Sequence, residues 1–320
     1  PQNMVKCEPQ LGKRNLYPSV SQKNDSNSVK TRMDFLAYAD GNHSLFDISK
    51  KIGKNLKLVV SEAKILKKQA SQDHVKFGLD KISVDSKRKK ISKLFNSISS
   101  DYDKMNDIMS LRSHRLWKKD LVERIEFFRF QKNKKFVLDL AGGTGDIAFL
   151  IRKRWPNNHI TVYDLSLEML NVGIKKSKKK GFTKNLSWMI GDSAYLPFKE
   201  SCFDIITCAF GIRNICEIEK TLSESFRILK PGGKLLVLEF SPDVINPFKN
   251  IYNFYLKKII PKMGKEIANN MDAYQYLCDS ILTFYKPKVF SKMIEDNGFQ
   301  KIKIIKYLGG IACLYIAFRI

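Results

Sequence analysis

The chain lacks the patterns by which small secreted or zinc-binding proteins hold themselves together. Its six cysteines (7, 202, 208, 216, 278 and 313) form no C-x-x-C pair, and its four histidines (43, 74, 114 and 159) do not cluster with them. Neither a disulfide framework nor a metal site is expected, and Cys202 and Cys208 read as packed thiols. No uninterrupted apolar run approaches the ~20 residues that a membrane-spanning helix needs. There is no internal repeat. There is also no Arg-rich stripe, although the net charge is +25. The excess is mostly lysine and is spread along the chain. That describes a solvated basic surface, with an anionic membrane surface as the second reading. No nucleic-acid partner is expected, because no base-reading motif accompanies the charge.

Hydrophobic residues make up 43 % of the chain, enough for a sizeable core. Residues 1–90 are rich in Lys, Asn and Ser, and read as a basic, largely disordered extension with a transient helix over 48–66. The first 30 residues are basic and contain serine, as organellar targeting segments do, but Glu8 and Asp25 interrupt them. Residues 91–320 alternate strand-like and helix-like segments, the signature of an α/β domain. Strands are predicted over 136–140, 160–163, 186–190, 203–210 and 234–240, with two more over 302–305 and 313–318. Helices are predicted over 147–155, 167–179, 218–229 and within 250–297.

The first strand runs into Ala141-Gly142-Gly143-Thr144-Gly145-Asp146. Such a turn lets the backbone approach a nucleotide-like ligand and points amide N–H groups at it. Gly143 to Ala148 also fits the dinucleotide pattern G-x-G-x-x-A, with Asp164 spaced for a ribose. A hydride-transfer enzyme is therefore open at this point. Gly191-Asp192-Ser193 ends the third strand, where a carboxylate can accept an adenine amine. Arg227 to Gly233 (RILKPGG) then leads into a strand ending at Glu239. That order fits a methyl-donor site better, and no nicotinamide-side pair is evident. The expected fold is α/β: a class I S-adenosylmethionine-dependent methyltransferase, Rossmann-like, with a mostly parallel seven-stranded sheet and helices on both faces.

Further segments narrow the reading. They are Tyr102 to Asp107 (YDKMND), His114 to Lys118 (HRLWK), Asp139 to Phe149 (DLAGGTGDIAF), Phe210 to Asn214 (FGIRN), Arg227 to Ser241, and Tyr274 to Ile281. With these, residues 92–320 resemble the ubiquinone/menaquinone biosynthesis C-methyltransferases, and the mitochondrial branch looks nearest. The resemblance implies S-adenosyl-L-methionine as methyl donor and C-methylation of 2-methoxy-6-polyprenyl-1,4-benzoquinol in ubiquinone biosynthesis. Another quinol or lipid-like acceptor, or a non-catalytic scaffold role, are the alternatives. It further implies a homodimer, a quinone-biosynthesis complex, peripheral membrane contact and a place on the matrix side of the mitochondrial inner membrane. Donor contacts are expected at Gly142, Thr144, Asp164, Asp192 and Ser193. Ala209 stands where bacterial members often carry Ser, leaving only a backbone contact.

For the chemistry, Arg213 is the first candidate. It follows the fourth strand, at the carboxyl edge of the sheet, where a guanidinium can favour a phenolate or hold a water that takes its proton. Asn214 would orient that water. Tyr102, with Asn106 and His114, would line or cover the acceptor, His114 being read mainly as a packing or surface residue. Arg112 stands where a glycine is usual. Tyr285, Lys288 and Tyr315 replace the usual Pro, Gln and His. Two rows at helical spacing, Ile251/Tyr255/Ile259 and Tyr252/Leu256/Ile260, make an apolar face beside Lys257 and Lys258. It suits a core or dimer face, a tail pocket or a membrane.

Overall fold

A computed structural model describes residues 44–61, 74–98, 106–107, 110–126, 134–246, 248–262 and 271–320, with 34 and 63 besides. The chain divides into two compact units, 1–74 and 75–320. In the first, helix α1 (Leu45–Lys51) starts at Ser44. The Ser44 hydroxyl accepts the Asp47 N–H at 3.1 Å, and the Asp47 carboxylate accepts the Ser44 N–H at 3.0 Å. This reciprocal pair satisfies two otherwise free donors and sets the helix start, ahead of the helix expected over 48–66.

The second unit opens with strands β1 (His74–Phe77) and β2 (Asp80–Ser83), a two-stranded hairpin, and helix α2 (Val84–Ile98). It begins at Val75, not at residue 91. Val84, Lys87, Ile91, Phe95 and Ile98 all fall on the buried face of α2, so the boundary at 90 would cut one helix in two. Helix α3 (His114–Glu123) follows. Then come β3 (Phe136–Leu140), α4 (Asp146–Arg154), β4 (His159–Asp164), α5 (Leu167–Lys179), β5 (Leu186–Ile190), β6 (Phe203–Ala209), α6 (Ile218–Ile228) and β7 (Leu229–Phe240). Helices α7 (Phe248–Phe254), α8 (Met271–Leu282) and α9 (Pro287–Asp296) lead to β8 (Gln300–Tyr307) and β9 (Ala312–Phe318).

The seven strands lie in the order β5-β4-β3-β6-β7-β9-β8, all parallel except β9. Side-chain alternation builds two cores. Val137, Ile160, Val162, Leu236 and Leu238 face one side, under α2, α3, α4 and α8. Leu138, Leu140, Ile206, Val237 and Tyr315 face the other, under α6 and α9. The expected sheet with helices on both faces is thus the one observed. β7 begins earlier than predicted. Its Lys230-Pro231-Gly232-Gly233 turn stays in the strand because the Gly232 N–H donates to the Arg319 carbonyl at 2.7 Å.

Helix α7 runs on through a π-helical turn at Tyr255–Ile259. The two predicted rows part here. Tyr252, Leu256 and Ile260 are buried, whereas in the other row Ile251 is 68 % and Ile259 37 % exposed with Tyr255 half-buried between them; Phe254, outside both rows, is also exposed. Arg112 adopts φ +66°, a backbone conformation that suits glycine, in the turn before α3. Among the described residues, no helix is long and apolar enough to cross a membrane.

Candidate active site

The carboxyl ends of β3, β4, β5 and β6 open onto a cleft of about 660 Å³. This is where ligands sit in open α/β sheets. After β3, Gly142 has no room for a side chain: a Cβ there would come within 2.7 Å of Val162 and 2.9 Å of the Asp139 carbonyl. Gly145 turns into α4 at φ +84°. Two non-glycine residues at this edge also take positive φ, Ala141 (51°) and Phe210 (60°), and both line the cleft. Strain at the ends of two adjacent strands marks a functional edge.

Asp164, at the end of β4, lines the cleft. Its carboxylate accepts the Gly143 N–H at 2.8 Å and the Ser166 N–H at 2.8 Å. Burial pushes its carboxyl up, and those N–H groups oppose the rise. Asp192 and Ser193, after β5, also line the cleft. The Asp192 carboxylate accepts the Ala194 N–H at 2.9 Å, and the Ser193 hydroxyl meets Thr221 at 3.2 Å. Ser193 is thereby left to offer its backbone to a ligand. Thr144 is buried, and its hydroxyl accepts from Lys176 Nζ at 3.1 Å. Gly142, Thr144 and Ala209 support the cleft without lining it. A glycine cradle, a ribose-level carboxylate and an adenine-level carboxylate in one cleft fit S-adenosylmethionine.

Arg213, the first candidate for the chemistry, does not line the cleft. It is 5 % exposed and lies beneath the cleft. Its Nη1 donates to Glu239 Oε1 at 2.8 Å and to the Phe210 carbonyl at 2.7 Å. Its Nε donates to the Ser280 hydroxyl at 3.1 Å, and its backbone N–H to Glu239 Oε2 at 3.2 Å. Burial pushes the Glu239 carboxyl up, against the pull of Arg213. The expectation changes accordingly: Arg213 holds the strained Phe210 turn, and its neighbour Asn214 lines the cleft. Asn214 Oδ1 accepts the Tyr276 hydroxyl at 3.3 Å. Tyr102 lies outside the described residues. His114 is neither a surface residue nor a simple filler. It is 2 % exposed, Nε2 lies 2.8 Å from Asp107 Oδ1, and Nδ1 has no hydrogen-bond partner. Arg115, with His114, holds the Asp107 carboxyl down at about 2.

Helix α2 contributes what the sequence reading missed. Arg88, Ile91 and Phe95 line the cleft. Their signal was a helical row through 84, 88, 91, 95 and 98, which the assumed domain boundary at 90 split.

A family model for the ubiE/COQ5 methyltransferase family matches residues 83–319. The chain belongs to that family. As a member it is an S-adenosylmethionine-dependent C-methyltransferase. The ubiquinone/menaquinone biosynthesis C-methyltransferase UbiE of Roseobacter denitrificans is 41 % identical over 245 residues, 76 % of this chain and 96 % of that protein. The mitochondrial 2-methoxy-6-polyprenyl-1,4-benzoquinol methylase of Bos taurus is 36 % identical over 288 residues, covering 79 % and 85 %. Among solved structures, an S-adenosylmethionine-dependent methyltransferase from Thermotoga maritima superposes with a TM-score of 0.50. It is 16 % identical, covering 72 % of this chain and 100 % of its own, and speaks for the fold alone. A winged helix-turn-helix model matches residues 1–70.

Proposed function

We propose that this enzyme methylates a ring carbon of 2-methoxy-6-polyprenyl-1,4-benzoquinol in ubiquinone biosynthesis. The observation that carries the reading is the Phe210–Asn214 turn: it abuts the donor cleft, presents Phe210 and Asn214 to it, and is tied from below by Arg213. When bound, the donor supplies an electrophilic methyl group on a sulfonium. Asp164 accepts the ribose hydroxyls, and Asp192 accepts the adenine amine with the Ser193 backbone beside it. Phe210 gives the acceptor ring an apolar wall near the methyl group, so that two reactants meet in a fixed geometry. Asn214 orients the phenol oxygen or the water that deprotonates it, which raises the nucleophilicity of the neighbouring ring carbon. Arg213 is a positioning residue for this turn.

The exposed Ile251, Phe254 and Ile259, with Lys257 and Lys258 on the same helix, suit shallow contact with an anionic bilayer, from which a prenylated substrate is drawn. The mitochondrial Bos taurus relative supports a mitochondrial setting, and the matrix side of the inner membrane is part of the same proposal. The bacterial relative from Roseobacter denitrificans is more similar, at 41 % against 36 % identity. A homodimer and a quinone-biosynthesis complex are part of the same proposal.

The test is to incubate the purified chain with S-adenosylmethionine and a short-tailed 2-methoxy-6-prenyl-1,4-benzoquinol. A product with one new C-methyl group by mass and NMR is expected. O-methylation, or donor binding without turnover, would overturn the assignment. A naphthoquinol methylated in preference would move the acceptor class. In a strain depleted of the protein, the unmethylated benzoquinol should accumulate.

A further inference from the structure

Asp192 is not alone at its end of the cleft. The Arg88 guanidinium reaches from α2 and donates through Nε to Asp192 Oδ2 at 2.5 Å. It also donates to Glu217, at the start of α6, and to Asp85 Oδ1 at 3.2 Å. The side chains of Arg88, Asp192 and Glu217 are each about a quarter exposed, so water screens the pairs only in part. A carboxylate offers about four lone-pair sites. Arg88 takes one on Asp192 and the Ala194 N–H another, so acceptor capacity remains for an incoming amine. Arg88 does not block Asp192; it holds the carboxylate in one orientation at the mouth of the cleft. The same helix presents Ile91 and Phe95 to the cleft one and two turns on, at the 3–4 residue spacing of one helical face. The neighbouring Lys87 is buried and donates to the Ile215 carbonyl at 3.1 Å, which ties α2 to the Phe210–Cys216 side of the site.

We propose that Arg88 is a positioning residue for the methyl donor: through its bridge to Asp192 and Glu217 it orients the carboxylate that reads the adenine amine, and it pins α2 over the adenine end of the cleft. This rests on the assignment of Asp192 to the adenine. The bridge is charge-assisted and partly exposed, so its removal should weaken donor binding roughly tenfold.

The test uses the full chain and calorimetric titration with S-adenosylhomocysteine, and with its deaminated form, in which a carbonyl oxygen replaces the adenine amine. Arg88→Met keeps the apolar stem and deletes the charge. It should raise the dissociation constant of the amine-bearing ligand about tenfold. Arg88→Lys should recover a good part of the loss. Asp192→Asn should weaken binding too, and Arg88→Met should add little in that background, because the two act through one contact. With the deaminated ligand, the penalty of Arg88→Met should shrink. Two outcomes point to different failures. If Asp192→Asn leaves binding unchanged, the donor-site assignment itself is wrong. If Asp192→Asn weakens binding but Arg88→Met does not, or weakens both ligands equally, Arg88 has no orienting role.

Discussion

Replacing Arg213 by Met should destabilise the protein by about 3–5 kcal/mol, the usual cost of breaking one half of a buried ion pair. The side chain of Arg213 is 1 % exposed and that of Glu239 0 %. Removing the guanidinium leaves the Glu239 carboxylate buried with only the Arg213 and Phe240 backbone N–H groups to hold it, at 3.2 and 2.7 Å. The Ser280 hydroxyl and the Phe210 carbonyl lose their donor as well. In a unit of this size 1 kcal/mol moves the thermal midpoint about 2–4 °C, so a drop of roughly 10 °C is expected. Glu239→Gln, which keeps an acceptor but not the charge, should cost less. The double variant should lose clearly less than the two single costs together, with a coupling of about 1–3 kcal/mol. Urea unfolding measures all four proteins, and donor titration at a temperature where each is folded separates stability from binding. Donor binding should survive in Arg213→Met while turnover falls, because the guanidinium holds the acceptor-side turn. Additive single costs, or a fully active Arg213→Met protein, would refute the clamp.

Three further outcomes are expected. Burial pushes the Asp139 carboxyl up to about 7, against the hydrogen bond from the Thr207 hydroxyl at 2.9 Å and the Ala148 backbone N–H. A carboxyl raised in the folded state binds its proton more tightly there than in the unfolded chain, so stability falls as pH rises from about 4 to 7 and is level beyond, by at most roughly 4 kcal/mol. Asp139→Asn should flatten that part of the urea-unfolding profile, and an unchanged profile would remove Asp139 as its source. Gly145→Ala places a Cβ at φ +84° and 2.6 Å from the Trp188 ring, which should cost about 1–3 kcal/mol and abolish measurable donor binding in calorimetry. Ile251→Ser with Phe254→Ser should reduce flotation with anionic liposomes at low salt while leaving donor affinity unchanged; equal flotation would point the exposed row of α7 elsewhere.

The donor half of the site was legible because it is local. A glycine turn directly after a strand, a carboxylate at the end of each of the next two strands and a Pro-Gly-Gly turn are all short-range patterns. Each is dictated by backbone geometry that the neighbouring residues report. For the same reason α5 and β5 fall on the predicted residues: Ser166 caps the one at Met169, and turns bound the other. Boundaries shifted where a distant partner decides, as in β7, whose Pro-Gly-Gly turn is held in the strand by Arg319.

The fold of residues 91–320, their donor and the identity of the cleft residues after β4 and β5 were therefore determined by the sequence itself. Three things only the tertiary structure decided. Arg213 reads as a group at the carboxyl edge, yet whether it points up into the cleft or down onto Glu239 depends on a residue 26 positions away. Arg88 reads as one more lysine-rich surface residue until α2 is laid across Asp192, 104 positions on. The two rows of α7 look alike in sequence, and packing alone buries one and leaves the ends of the other, Ile251 and Ile259, exposed on either side of a half-buried Tyr255. In each case the residue's own neighbours are silent, because a long side chain's role is set by the charge or surface it meets after the chain has folded.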